Sequence, residues 1–187
     1  EVVNVFDPNN DVVKLCMAGL GLEATVDRGA AIAKFQEALE TARNDFERLI
    51  ASFHLARMQD DIPKRLEGMI ASLNFAMNSG DNGAKTALYT IYSEIAKCYE
   101  VLAEHGKAEQ SRFLAESYHG IIFDKGPFFH GTRADLPIGS FLTPGLNSNY
   151  RSDLIMQHLY FTANMNGAIL AASLAKGDGD KRVYIVQ

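Results

Sequence analysis

Between Asp11 and His119 this chain carries a single proline, Pro63, whereas three of its five prolines crowd between positions 127 and 144. Proline lacks the amide hydrogen a helix interior needs, and its ring clashes with the preceding turn. So long a stretch with only one proline therefore reads as helix after helix. Pro63 itself follows Asp60-Asp61, the pattern of a helix start rather than of a break. The shift in composition over 120–126 marks a boundary. We expect a helical domain over 1–122 and a second domain over 123–187, with enough chain for both to bury a core.

Composition excludes more than it assigns. A hydrophobic share of 47% and a charged share of 22% are those of an ordinary globular chain. A net charge of −5 argues against a nucleic-acid or anionic-membrane surface. No apolar run reaches the length of a membrane span. The stretch Glu1-Val2-Val3-Asn4-Val5-Phe6-Asp7-Pro8 lacks the basic flank and apolar core of a signal peptide, and it lacks an initiator methionine. These features point to the cytoplasm. Cys16 and Cys98 lie far apart inside helical patterns, as buried thiols rather than a disulfide or a metal pair. No metal site is expected: the carboxylates of Gly177-Asp178-Gly179-Asp180 lack the spacing and the partner Glu of a calcium loop. Neither phosphate-binding glycine motif occurs, since Gly19-Leu20-Gly21 sits within a helix and lacks a third glycine.

The helical part carries a weak internal repeat. One copy is Leu15, Ala18, Gly19, Leu22, then Ala31, Phe35, Ala38 and Leu39; another is Tyr92, Ile95, Ala96, Tyr99, then Ala108, Arg112 and Ala115. Small residues let two helices approach and large ones fill the groove between them. A middle copy, Leu55 and Ala56, then Leu66, Ile70 and Leu73, is less regular. The pattern resembles tetratricopeptide repeats. It departs from them at Val26 and Ala103, where that family favours glycine, and at Arg112, where it favours an aromatic. Three degenerate helix pairs of this kind imply a concave surface for a peptide or protein partner.

The second part changes period. Phe128 to Gly131 reads as a strand with Phe128 and His130 on one face. Positions 157–163 alternate as well, which predicts a strand with His158, Tyr160 and Thr162 on one face and Leu159, Phe161 and Ala163 on the other. A helix follows from about Met165 to Ala175, then the glycine-aspartate turn, then a strand from about Arg182. The whole chain is therefore α+β in class.

This second part resembles the rifamycin ADP-ribosyltransferases. The resemblance rests on Phe128-Phe129-His130-Gly131-Thr132, Ala134-Asp135-Leu136 with Gly139, Leu142-Thr143-Pro144-Gly145, Ser148-Asn149-Tyr150, Tyr160-Phe161-Thr162-Ala163 and Val183-Tyr184-Ile185-Val186. It implies part of a split β-sheet unit that clamps NAD, with NAD as co-substrate, no metal, and a rifamycin hydroxyl as acceptor. The family site is described by a His, a Tyr and an Asp. The His maps onto His130 and the Tyr onto Tyr160, while the Asp is expected downstream of Gln187, so the resemblance covers about the first half of the catalytic unit.

A lone histidine is more often a hydrogen-bonded structural residue than a catalytic one, and a lone strand tyrosine is ordinary. The matched motif reverses that for both. The resemblance implies that His130 bonds a ribose hydroxyl and that Tyr160 stacks on nicotinamide. It also implies that the backbone of Gly131 approaches the nicotinamide amide, with Thr132, Ser148 and Tyr150 among the residues lining the NAD site. The loop over 133–150 is expected to cover the cofactor or face the acceptor. His54, His105, His119 and His158 are claimed by no motif. Two further functions fit the same residues: a protein-binding repeat carrying an inactive transferase remnant, and a transferase whose repeats deliver a protein target. NAD consumption and the identity of the modified molecule separate them.

Overall fold

The structure is a computed structural model, and it describes residues 9–145, 155 and 157–187. It divides into two units, Asn9–Phe123 and, among the described residues, Asp124–Gln187. The chain is α+β, with helices in the first unit and a small antiparallel sheet in the second.

The first unit is built from α1 (Asp11–Ala24), α2 (Arg28–Thr41), α3 (Asp45–Arg57), α4 (Ile62–Asn78), α5 (Asn82–Thr86), α6 (Leu88–Val101) and α7 (His105–Tyr118). Each of the first four starts on an Asn or Asp whose side chain accepts the amide hydrogen three residues on, at Val13, Ala30, Glu47 and Lys64. These caps stand at 10, 27, 44 and 61, in steps of 17, so helix pairs recur at 34 residues. The starts of α6 and α7, at Ala87 and Glu104, keep the step of 17. The short α5 lies in an insert that stretches the preceding step, from 61 to 87, to 26. Pro63 stands in the first turn of α4, where its missing N–H leaves no bond unmade.

Helices pack in sequence order: α1 on α2, α3 on α4 and α6 on α7, with α2 against α3 and α4 against α6 joining the pairs. That order is consistent with a helical repeat. The first and last pairs turn in the same way. Among the described residues, Val26 (φ 65) and Ala103 (φ 59) are the non-glycine residues with left-handed backbone. After α1, Asp27 N–H bonds Leu22 O and Val26 N–H bonds Glu23 O; after α6, Glu104 N–H bonds Tyr99 O and Ala103 N–H bonds Glu100 O. This double bond pattern closes a helix and puts the residue between its last turn and the next element in a conformation glycine prefers. The two sites at which a repeat glycine was expected are thus the two that need one.

The three pairs meet through different chemistry. A Cβ added at Gly19 would lie 2.5 Å from the Phe35 ring, and Phe35 is fully buried. In the middle pair Ser52 Oγ meets Ser72 Oγ at 2.8 Å, and Ser72 Oγ also donates to Gly68 O. In the last pair Arg112 turns outward to Glu100. The middle copy is shifted from the sequence expectation. Its buried stripe runs Met69, Ser72 and Ala76, while Ile70 is 37% exposed; Gly68 faces α3, where an added Cβ would lie 2.7 Å from Ala56 Cβ. Cys16 and Cys98 are buried free thiols, and burial pushes Cys16 up to about 11. Among the described residues no helix is long and apolar enough to cross a membrane.

The second unit holds β1 (Phe128–Thr132), α8 (Met165–Leu174) and β2 (Arg182–Val186). The strands pair antiparallel, with His130 opposite Tyr184, Phe128 opposite Val186 and Thr132 opposite Arg182. Asn164 caps α8 by accepting the amide hydrogens of Asn166 and Gly167. The strand expected over 157–163 is not formed. One bridge, Phe129 to Thr162, is all that pairs there, and Asn164 already opens the α8 cap two residues later.

Candidate functional site

β1 is the element on which the site residues converge. Successive strand side chains alternate between faces. Phe129 and Gly131 point toward α8, and Phe128, His130 and Thr132 toward the opposite face, beside Val186, Tyr184 and Arg182 of β2. Phe129 is buried, and α8 offers it the small residues Ala168 and Ala172. At Gly131 the packing is backbone on backbone: an added Cβ would lie 1.8 Å from Ala168 O and 2.8 Å from Ala172 N. The glycine is needed because a helix lies against the strand, not because a ligand must approach from that side.

Backbone direction opens the other edge of β1. Phe129 N–H donates to Thr162 O at 2.7 Å, and Thr162 N–H returns the bond at 3.0 Å. Main-chain groups two residues apart on a strand point to the same edge. Gly131 N–H and C=O therefore face the edge that Thr162 occupies, one step beyond that bridge. Across the same edge, His130 Nδ1 lies 2.8 Å from Tyr160 O. A carbonyl only accepts, so Nδ1 carries the hydrogen, and in the neutral ring Nε2 keeps its lone pair for a ligand hydroxyl.

His130 and Tyr160 are thus brought together, through imidazole and main-chain carbonyl. The Tyr160 side chain belongs to a residue 64% exposed. Of Tyr160 and Phe161, the aromatic that shares the His130 face is Phe161, edge-on to Phe128 with ring centroids 5.3 Å apart. This follows from the bridge register: Thr162 opposite Phe129 sends Phe161 to the side of His130. Thr132 Oγ1 accepts from Ala134 N–H and so shapes the exit from β1. Ser148 and Tyr150 lie outside the described residues.

Two side chains that sequence reading did not single out complete the face. Tyr184 Oη accepts from Leu136 N–H at 2.9 Å and donates to Ala134 O at 3.2 Å. Arg182 reaches Asp135 at 3.4 Å. The alternation of Arg182-Val183-Tyr184-Ile185-Val186 was readable, but only the register puts Tyr184 next to His130. Among the described residues no group of three or more His, Cys, Asp or Glu gathers as a metal site.

No curated protein and no solved structure matches the chain. Residues 128–187, a span that opens on the first residue of β1 and includes His130, Tyr160 and Tyr184, match the family model of rifampin ADP-ribosyl transferase.

Proposed function

We propose that the second unit is the NAD-binding part of a mono-ADP-ribosyltransferase whose acceptor is a rifamycin hydroxyl. The carrying observation is the locked imidazole of His130 within the matched segment, on a strand edge that also offers Gly131 N–H and C=O. That edge fits NAD. One donor and one acceptor side by side suit a carboxamide, and Nε2 suits a ribose hydroxyl. Phe128 and Phe161 supply an apolar flank, and Tyr160 is the ring we assign to nicotinamide, as the family pattern implies.

In the reaction the ribose C1′–nicotinamide bond breaks, nicotinamide leaving with the electron pair. The acceptor oxygen bonds C1′ and gives up its proton to solvent. The transition state is sugar-cation-like, so the residues act by holding and orienting rather than by strong acid catalysis. His130 orients the ribose; Thr132 shapes the loop beside it.

For the first unit, the 34-residue recurrence of capped helices and the two matched left-handed turns support a tetratricopeptide-like repeat that binds a peptide or protein. The test is mass spectrometry of the chain, alone and in a form extended to supply the family's Asp, incubated with NAD and rifampicin. We expect one ADP-ribose on rifampicin from the form that carries the Asp, and His130→Ala or Tyr160→Ala to lower its turnover at least about a hundredfold. Nicotinamide release with ADP-ribose found on protein instead moves the acceptor to the repeats' partner. Neither adduct nor nicotinamide from the form that carries the Asp leaves the repeats as the working part and refutes the transferase reading.

A further inference from the structure

β2 does more than pair with β1. Its two polar side chains on the His130 face both reach the segment that leaves β1. Tyr184 holds Ala134 O and Leu136 N–H with one hydroxyl, and Arg182 holds the Asp135 carboxylate. Arg133 donates to Gly179 O at 2.9 Å from the same root. The start of the loop is therefore fastened to side chains of β2, one of which, Tyr184, stands opposite His130 in the sheet. Beyond it the chain makes a tight turn, with Ser140 N–H bonded to Pro137 O and Gly139 at φ +86, the value a type II turn requires at that place. The turn presents apolar side chains to solvent: Ile138 is 101% and Phe141 95% exposed. An isoleucine and a phenylalanine displayed on an ordered turn, on a root fastened at several points, form a presented apolar surface.

We propose that Tyr184 is a positioning residue for acceptor binding: through its hydroxyl it sets the loop so that Ile138 and Phe141 meet a large apolar acceptor beside His130. This rests on the transferase reading above. The chemistry divides the partners. A dinucleotide diphosphate has little use for exposed Ile and Phe, whereas a polycyclic hydroxylated acceptor such as rifampicin does. NAD takes the Gly131 edge on the far side of His130 from the clamp. Tyr184→Phe keeps the ring and removes both bonds.

Two measurements decide it. The first is amide exchange in the whole chain. Leu136 should exchange about tenfold faster in Tyr184→Phe, the scale of one lost hydrogen bond, while Phe129, bonded to Thr162, should be unchanged. Unchanged Leu136 overturns the clamp, and equal acceleration of Phe129 shows a loosened sheet and overturns the local role. The second is steady-state transfer from NAD to rifampicin by the form that carries the Asp. We expect KM for rifampicin to rise about tenfold, with kcat and KM for NAD within about twofold; Phe141→Ser should do the same with Leu136 exchange unaltered. A fall in kcat at constant KM, or no change in either variant, overturns acceptor positioning. If the form that carries the Asp, with its other residues unaltered, forms no adduct, the transferase reading fails and takes acceptor positioning with it, while Leu136 exchange still decides the clamp.

Discussion

Replacing Gly131 with alanine tests two physical reasons for one glycine. If the residue is small so that nicotinamide can approach, the variant folds normally and loses only turnover. The structure gives another reason. The new Cβ would lie 1.8 Å from Ala168 O, 2.8 Å from Ala168 C and 2.8 Å from Ala172 N. Carbon and oxygen in van der Waals contact sit roughly 3.3 Å apart, so α8 and β1 must separate by about 1.5 Å. Both surfaces are backbone, and neither has a rotamer with which to yield. Separation would also open the strand–helix face on which Phe129, Ala168 and Ala172 are buried. Overpacking usually costs about 1–3 kcal/mol; with rigid partners on both sides we expect about 3 kcal/mol or more. At about 1 kcal/mol per molar urea for a small unit, the unfolding midpoint should fall by about 3 M. The readout is amide exchange at Phe129 and Ala168 across a urea series, which reports the second unit alone. Gly21→Ala is the control, since nothing lies within 4 Å of its Cβ, and it should be neutral or stabilise α1 by up to about 1 kcal/mol. A Gly131→Ala variant with an unshifted midpoint would refute the packing account.

His54 stacks on Phe35 at 5.1 Å, and its Nδ1 is buried without a hydrogen-bond partner. Burial first, then the Arg57 charge, lowers it to about 4. Its unfolded value is near 6.5, so its contribution is complete above that pH and is lost as pH falls from about 6.5 toward 4, by at most about 3 kcal/mol. Urea unfolding of unaltered chain and His54→Phe should therefore differ by a constant above pH 6.5 and by a pH-dependent amount below it; parallel curves throughout would contradict this. Val26 is 89% exposed with left-handed φ, so Val26→Gly should stabilise the first unit by about 1 kcal/mol in thermal unfolding, and Ala103→Gly by less. A loss of stability in Val26→Gly would mean that its side chain packs after all.

Local chemistry was legible in the residues. The single Pro63, the Asn and Asp residues at 10, 27, 44 and 61, and the missing glycines at 26 and 103 determine where helices begin and how two of the pairs turn. Each such feature involves groups within one or two turns of the chain, so a short window contains its whole cause. The alternation of Phe128 to Gly131 and the apolar run from about Arg182 likewise marked the two strands, β1 ending one residue later, at Thr132. What lay out of reach depended on pairings between distant residues. Whether alternation over 157–163 becomes a strand depends on how much of it finds β1, and one residue, Thr162, does. That single register sends Phe161 to the His130 face and leaves Tyr160 to hold His130 by its carbonyl. The need for Gly131 arises from α8, more than thirty positions on, and the clamp on the loop from Tyr184, nearly fifty positions from Leu136. A period tells which side chains share a face; only tertiary structure decides what that face meets, because register is fixed by contacts whose partners no local window contains.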